Sequence, residues 1–236
     1  MSTHSYPDNQ ALVADLAPRI AATLAAAIAT RGYGNLAVSG GSTPRSLFMA
    51  LSKQAIAWQH VQITLVDERW VDETDTQSNA RLVRDYLLQN QASEASFVSL
   101  KTPSADAFAS VNAVTAKLQG TPQPLFPLDV VVLGMGEDGH TASWHPGSET
   151  LAQVMDVGSP KMCGAVRPLV ALCDRMTLTL KTVLQAHLII LHVVGEAKKP
   201  VLDAAQRPGP AAELPVRAIL LQVQVPTEIY YAPQMS

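Results

Sequence analysis

Three short stretches hold residues whose types and spacing could do chemistry. The first is Gly134-Met135-Gly136-Glu137-Asp138-Gly139-His140-Thr141, directly after the apolar run 128–133. Three glycines let the backbone approach a ligand closely, and His140 is the natural general base near neutral pH. His145 lies five residues on, so Asp138, His140 and His145 could be imagined around a metal ion. Their spacing matches no recognised zinc motif, and no metal is expected. The second stretch is Ser39-Gly40-Gly41-Ser42-Thr43-Pro44-Arg45. Two glycines allow a tight turn, Ser42 or Thr43 could cap a helix that Pro44 begins, and the free N–H groups there favour an anion, most naturally a phosphate. It is neither a Walker A loop nor GxGxxG. Gly40-x-Ser42-x approaches a nucleophile elbow, but Pro44 stands where the last glycine belongs.

The third stretch, Asp67-Glu68-Arg69-Trp70, puts three charges at the end of an apolar run. Buried charges are costly unless paired or used. Arg69 could face a developing oxyanion or pair with Asp67 or Glu68. Two later cations, Arg175 and Lys198, each read singly as solvated charges; with the 39–43 loop they could clamp a phosphate dianion.

These residues need a frame. Leu12, Val13, Leu16, Ile20, Leu24 and Ile28 recur at helical spacing across residues 9–31, ending at Gly32, with Pro18 inside the pattern. Further helices are predicted over 44–51, 78–91 (capped by Ser78), 104–118, 177–185 and 197–205. Strands are predicted over 36–39, 61–67, 97–100, 128–133 and 187–194, with 219–225 and 228–231 closing the sheet. Continuous apolar strands alternating with helices predict an α/β fold: a mostly parallel sheet with helices on both faces, a Rossmann-like three-layer architecture in one domain over 1–236. Ligands in such folds bind beyond the carboxyl ends of the strands, where all three stretches lie.

Composition narrows the classes. The 236 residues are 47% hydrophobic and 16% charged, which excludes a largely disordered chain. The net charge is −3 with no basic block, so nucleic acid is not an expected partner and any bound anion must be held locally. Cys163 and Cys173 make neither a disulfide framework nor a zinc pattern, and a reducing cytoplasm is expected. The apolar run 20–30 is too short to span a bilayer, and residues 1–8 lack the positive start of a signal peptide. A cytoplasmic protein without membrane partners, a monomer or small homo-oligomer, is the expectation.

Taken in order, Ser39-Gly-Gly-Ser-Thr-Pro44, Asp67-Glu-Arg-Trp-Val71 with Ser78-Asn79, Gly134-Met-Gly-Glu-Asp-Gly-His-Thr-Ala-Ser143 and Gly195-Glu-Ala-Lys-Lys-Pro200 resemble the 6-phosphogluconolactonase family over nearly the whole chain. The resemblance implies hydrolysis of a phosphosugar lactone, 6-phospho-D-glucono-1,5-lactone, in the oxidative pentose phosphate pathway, with no cofactor. It implies that Ser39, Gly40, Gly41, Ser42 and Thr43 hold the phosphate with Arg175 and Lys198, that His140 activates water, and that Arg69 stabilises charge on the lactone oxygen. Asp67 or Asp138 would orient these groups, and the resemblance does not choose between them.

Two departures concern the sugar end of the pocket. Trp144-His145 stands where the family usually has Leu-Phe, and residues 171–174 replace a proline-rich stretch. The sister aminosugar-phosphate isomerases read Asp-Glu-Tyr where this chain has Asp67-Glu68-Arg69, and Asn-Glu-Pro at 144–146, so this chain lacks their carboxylate at position 145. A non-catalytic sugar-phosphate sensor is the other alternative, and it would have no need of His140.

Overall fold

The computed structural model describes residues 1–169 and 173–234. In chain order the elements are β1 (Ser2–Ser5), α1 (Asn9–Arg31), β2 (Gly34–Val38), α2 (Arg45–Leu51), β3 (Val61–Leu65), β4 (Asp67–Arg69), α3 (Asn79–Tyr86), β5 (Ser96–Val98), α4 (Val111–Gln119) and β6 (Val130–Leu133). Then follow α5 (Leu151–Val154), β7 (Cys163–Val166), β8 (Arg175–Leu178), α6 (Leu180–Val183), β9 (Leu188–Val194), α7 (Lys199–Ala205), α8 (Arg217–Leu220) and β10 (Thr227–Ala232).

Seven strands form one parallel sheet in the order β1-β10-β9-β6-β2-β3-β5. Every residue of β2, β3, β6 and β9 is buried, which is why these strands read as largely apolar, with Asn35, Gln62, Thr64 and His192 as the buried polar exceptions. From β2 the chain builds outward through β3 and β5; from β6 it builds the other way through β9 and β10. The order therefore reverses between neighbours β2 and β6, and the crevice at their carboxyl ends is where such a sheet takes a ligand. The 39–43 and 134–141 loops leave from this crevice.

The long helix α1 shows how local signals set an element. Asp8 Oδ1 accepts the Ala11 N–H at 2.8 Å, and Gly32 ends the helix at φ +90° with its N–H on the Ile28 carbonyl. Pro18 lies inside the helix without ending it. Its 23 residues exceed the 20–30 run and are long and apolar enough to cross a membrane by length and composition. The stripe of Leu12, Leu16, Ile20 and Leu24 is instead buried in the core, and α1 packs on α2, β2 and β10.

A second sheet departs from the sequence reading. β4, β8 and β7 form an antiparallel three-stranded sheet. The predicted strand 61–67 divides at Val66, whose N–H bonds Val38 and whose carbonyl takes the Leu178 N–H at 2.8 Å, so the chain changes partner there. The helix predicted over 177–185 is correct only for α6. Its first residues belong to β8, and Thr179 Oγ1 caps α6 through the Thr182 N–H. The strand predicted over 219–225 is a short helix, α8, and a turn. β1 and β7 have no predicted counterpart. α4 starts at Val111, not at 104, and α3 stops at Tyr86. Both cysteines are free, Cys163 buried in β7. Of the 171–174 departure, residues 171 and 172 lie outside the described residues.

Candidate active site

A cleft of about 300 Å³ opens at the crevice between β2 and β6. Ser39, Gly40, Gly41, Ser42 and Thr43 line it together with His140, Asp67, Arg69, Arg175 and Lys198. All the predicted site residues except Asp138 thus border one cavity. The two loops are stitched together by the Gly134 N–H, which donates to Ser39 Oγ at 3.3 Å. Gly40 is required by its neighbour, because a Cβ there would collide with the Asn79 side chain. Neither Ser42 nor Thr43 caps α2: its N-cap position is Pro44, with no side-chain cap. Both residues face the cleft instead.

The cations are arranged around this loop. Arg69 and Arg175 are cross-strand partners in β4 and β8. Arg69 forms no ion pair with Asp67 or Glu68 among the described residues; its Nη1 donates to the Gln77 carbonyl and to Asn79 Oδ1, both at 2.8 Å. Arg175 Nε is buried without a hydrogen-bond partner among the described residues. Lys198 ends the 3₁₀ turn before α7, and burial pushes its ammonium below the usual lysine range, with Glu137 pulling the other way. Among the described residues Asp67 is the one carboxylate on the wall, against three cations, in a chain of net charge −3. Such a site favours an anion locally although the whole molecule does not.

The 134–141 loop is closed on itself. Gly136 N–H donates to the His140 carbonyl at 2.9 Å, and Thr141 Oγ1 to the Gly134 carbonyl at 2.8 Å. A Cβ at Gly136 would collide with the His140 ring, so the glycine lets the ring lie flat on the loop. His140 Nδ1 lies 2.5 Å from Asp138 Oδ1, which also accepts the His140 N–H at 3.1 Å. Burial works to raise the Asp138 carboxyl, but the hydrogen bonds from the His140 and His145 rings hold it far below the usual carboxylate range. An ionised Asp138 can only accept, so Nδ1 keeps its proton and donates it as a hydrogen bond, which leaves Nε2 with its lone pair, the tautomer a base needs. The carboxylate bonded to His140 is therefore Asp138. Asp67 lies apart, its Oδ2 accepting Ser143 Oγ at 2.6 Å.

The comparisons with known proteins bear on this geometry. The description of glucosamine-6-phosphate isomerases/6-phosphogluconolactonase matches residues 7–227. The chain belongs to this family. It is 43% identical to the 6-phosphogluconolactonase of Rhizobium meliloti over 98% of each chain. It is 44% identical to that of Mesorhizobium japonicum, over 98% of this chain and 94% of the other. The crystal structure of a 6-phosphogluconolactonase from Shewanella baltica superposes with a TM-score of 0.94 at 41% identity, covering 98% of this chain and 97% of that one. The fold of the family is thus the fold found here.

Four residues that sequence reasoning left without a role, Glu68, Ser143, Trp144 and His192, lie in or behind the cleft wall. Glu68 is fully buried and accepts the N–H groups of Arg69, Asn79 and Ala80 at 2.7–2.8 Å and Ser78 Oγ at 3.1 Å. Burial raises its carboxyl and these four bonds pull it back. It pins the start of α3 to β4, and this places Asn79 between Gly40 and Arg69. Ser78-Asn79 beside the Asp-Glu-Arg run was the available signal. Ser143 holds Asp67, and Trp144 is wholly buried with its indole N–H on the Leu178 carbonyl, so only the His145 half of the unusual pair reaches the cleft.

The fourth residue, His192 in β9, has no sequence signal beyond being a lone polar group in an apolar strand. It lies in the cleft floor, 3.3 Å from Asn9 Oδ1. Burial, reinforced by the Lys198 charge, pushes its imidazole down to about 4. In the unfolded chain the ring protonates near pH 6.5, so this group's contribution is fully present above that pH and is lost as pH falls toward 4. Between pH 7 and pH 5 it should cost the fold about 2 kcal/mol. Urea unfolding of the native protein and of His192→Leu at both pH values should show that extra loss in the native protein alone. Equal losses in the two would contradict a buried neutral ring.

Proposed function

We propose that the chain hydrolyses 6-phospho-D-glucono-1,5-lactone to 6-phospho-D-gluconate, the lactonase step of the oxidative pentose phosphate pathway, and that it works in the cytoplasm without a cofactor. The observation that carries the proposal is that His140 of the His140–Asp138 pair lines the same cleft as the glycine-rich loop, Arg69, Arg175 and Lys198. The phosphate sits against residues 39–43. This places the lactone carbonyl carbon toward His140. Nε2 removes a proton from water as its oxygen bonds to C1, and the carbonyl oxygen becomes an oxyanion facing Arg69. Collapse breaks the bond from C1 to the ring oxygen, and the imidazolium returns its proton to that oxygen. The products are a free hydroxyl and a carboxylic acid, which then ionises.

The aminosugar-phosphate isomerase reading fits less well, because this chain has Arg69 and His145 where the sister family reads a tyrosine and a carboxylate. A sensor would leave the Asp138–His140 pair without a purpose. Acid release from freshly made lactone, corrected for spontaneous hydrolysis, decides among the three, with glucosamine 6-phosphate as the control substrate. The expected result is turnover of the lactone alone. Isomerisation of glucosamine 6-phosphate, or no rate above background with either compound, would overturn the proposal.

The same assay tests metal independence. Water attack on an activated ester needs no Lewis acid when a base and oxyanion donors are in place, so prolonged chelation with EDTA should leave the rate unchanged. Loss of activity restored by zinc would transfer the chemistry to an ion at Asp138, His140 and His145.

A further inference from the structure

We propose that Asp138, His140 and His145 form an inhibitory site for a divalent transition ion of the zinc type. The three side chains offer one donor atom each, all within 4.8 Å of one another. The mechanism above uses two of them and leaves His145 without a task. His145 is nevertheless held rigidly: Trp144 N–H bonds the Thr141 carbonyl at 3.0 Å, the Trp144 indole is anchored on β8, and Ala142 takes a left-handed φ of +50° to make the turn. The turn brings the His145 ring back over His140, with centroids 4.3 Å apart and Nδ1 4.0 Å from Asp138 Oδ2. Two imidazoles and one carboxylate, with the cleft supplying an open fourth position, are a donor set suited to zinc. Tetrahedral zinc holds its donors about 3.3 Å apart, so the three donor atoms would draw together on binding.

Occupancy removes the base whichever nitrogen of His140 is taken. An ion on Nε2 consumes the lone pair that would accept the water proton. An ion on Nδ1 displaces its proton to Nε2, which then has no lone pair to offer. Magnesium, a hard ion that prefers oxygen donors, should not compete.

The inhibitory effect rests on the lactonase reading, whereas binding does not, so the two are measured separately. Calorimetric titration of the metal-free protein with zinc chloride should give one ion per chain. In cobalt(II) titrations, two histidine ring signals should shift strongly in the proton NMR spectrum. His145→Phe and His145→Asn, checked for folding by their unfolding midpoints, should each weaken zinc binding by about ten-fold or more. In the rate assay, inhibition should track calorimetric occupancy, reverse on chelation and be absent with magnesium. No zinc binding up to about 1 mM, fewer than two shifted histidines, unchanged affinity in both variants, or a rate that rises with zinc would each overturn the proposal. An enzyme without lactonase activity that still binds zinc in this way would fail the functional reading and keep the site.

Discussion

Replacing His140 by alanine should lower kcat on the phosphorylated lactone by about 10²–10⁴-fold while leaving the affinity for 6-phosphogluconate nearly unchanged. The expectation follows from the division of labour proposed for the cleft, in which His140, bonded to Asp138, activates the water and the cations and the 39–43 loop hold the anion. An interaction made only in the transition state lowers kcat and kcat/KM together. Steady-state kinetics corrected for spontaneous hydrolysis, with calorimetry for the product, separates the two effects. A near-native kcat in His140→Ala would remove the base from this position. His145, whose ring lies against His140, would be the next candidate.

Lys198→Ala should raise KM for the phosphorylated lactone about ten-fold or more, because a charge-assisted hydrogen bond is worth roughly 1.5–3 kcal/mol. Lys198 lies partly withdrawn from water and forms no ion pair among the described residues, so its charge is free for a ligand. Product affinity should fall in parallel. Hydrolysis of unphosphorylated gluconolactone, where it can be measured, should not respond. On the proposed binding mode phosphate binding energy positions the lactone carbon, so some loss of kcat with the phosphorylated substrate is consistent with the same role. Equal losses with both lactones would assign Lys198 to the chemistry or to the fold, and no change with either would make it a solvated surface charge.

The parts of the site that could be read from the chain were those that repeat a local rule. A glycine-rich turn after a buried strand, a histidine in such a turn and a proline opening a helix each point to strand ends, and parallel strands collect their ends on one side of a sheet. The small antiparallel sheet was not legible. β8 and β7 are four residues each and carry no long alternation, and Thr177–Leu178 runs directly into a helix cap, so the helical reading absorbed a strand that only tertiary pairing with β4 defines. That sheet is what sets Arg69 beside Arg175. The choice between Asp67 and Asp138 was equally out of reach, because it depends on which carboxylate the folded loop brings to the imidazole. His192 needed the fold as well: a histidine in β9 shows its surroundings only once α1 places Asn9 against it.

The most direct test of the central claim is a crystal structure of the protein with 6-phosphogluconate. The account predicts the phosphate against Ser39, Gly40, Gly41, Ser42 and Thr43, within reach of Lys198 and Arg175, and the C1 carboxylate beside His140 Nε2 and Arg69. A reversed ligand, with its carboxylate on the glycine-rich loop and its phosphate at His140, would contradict it.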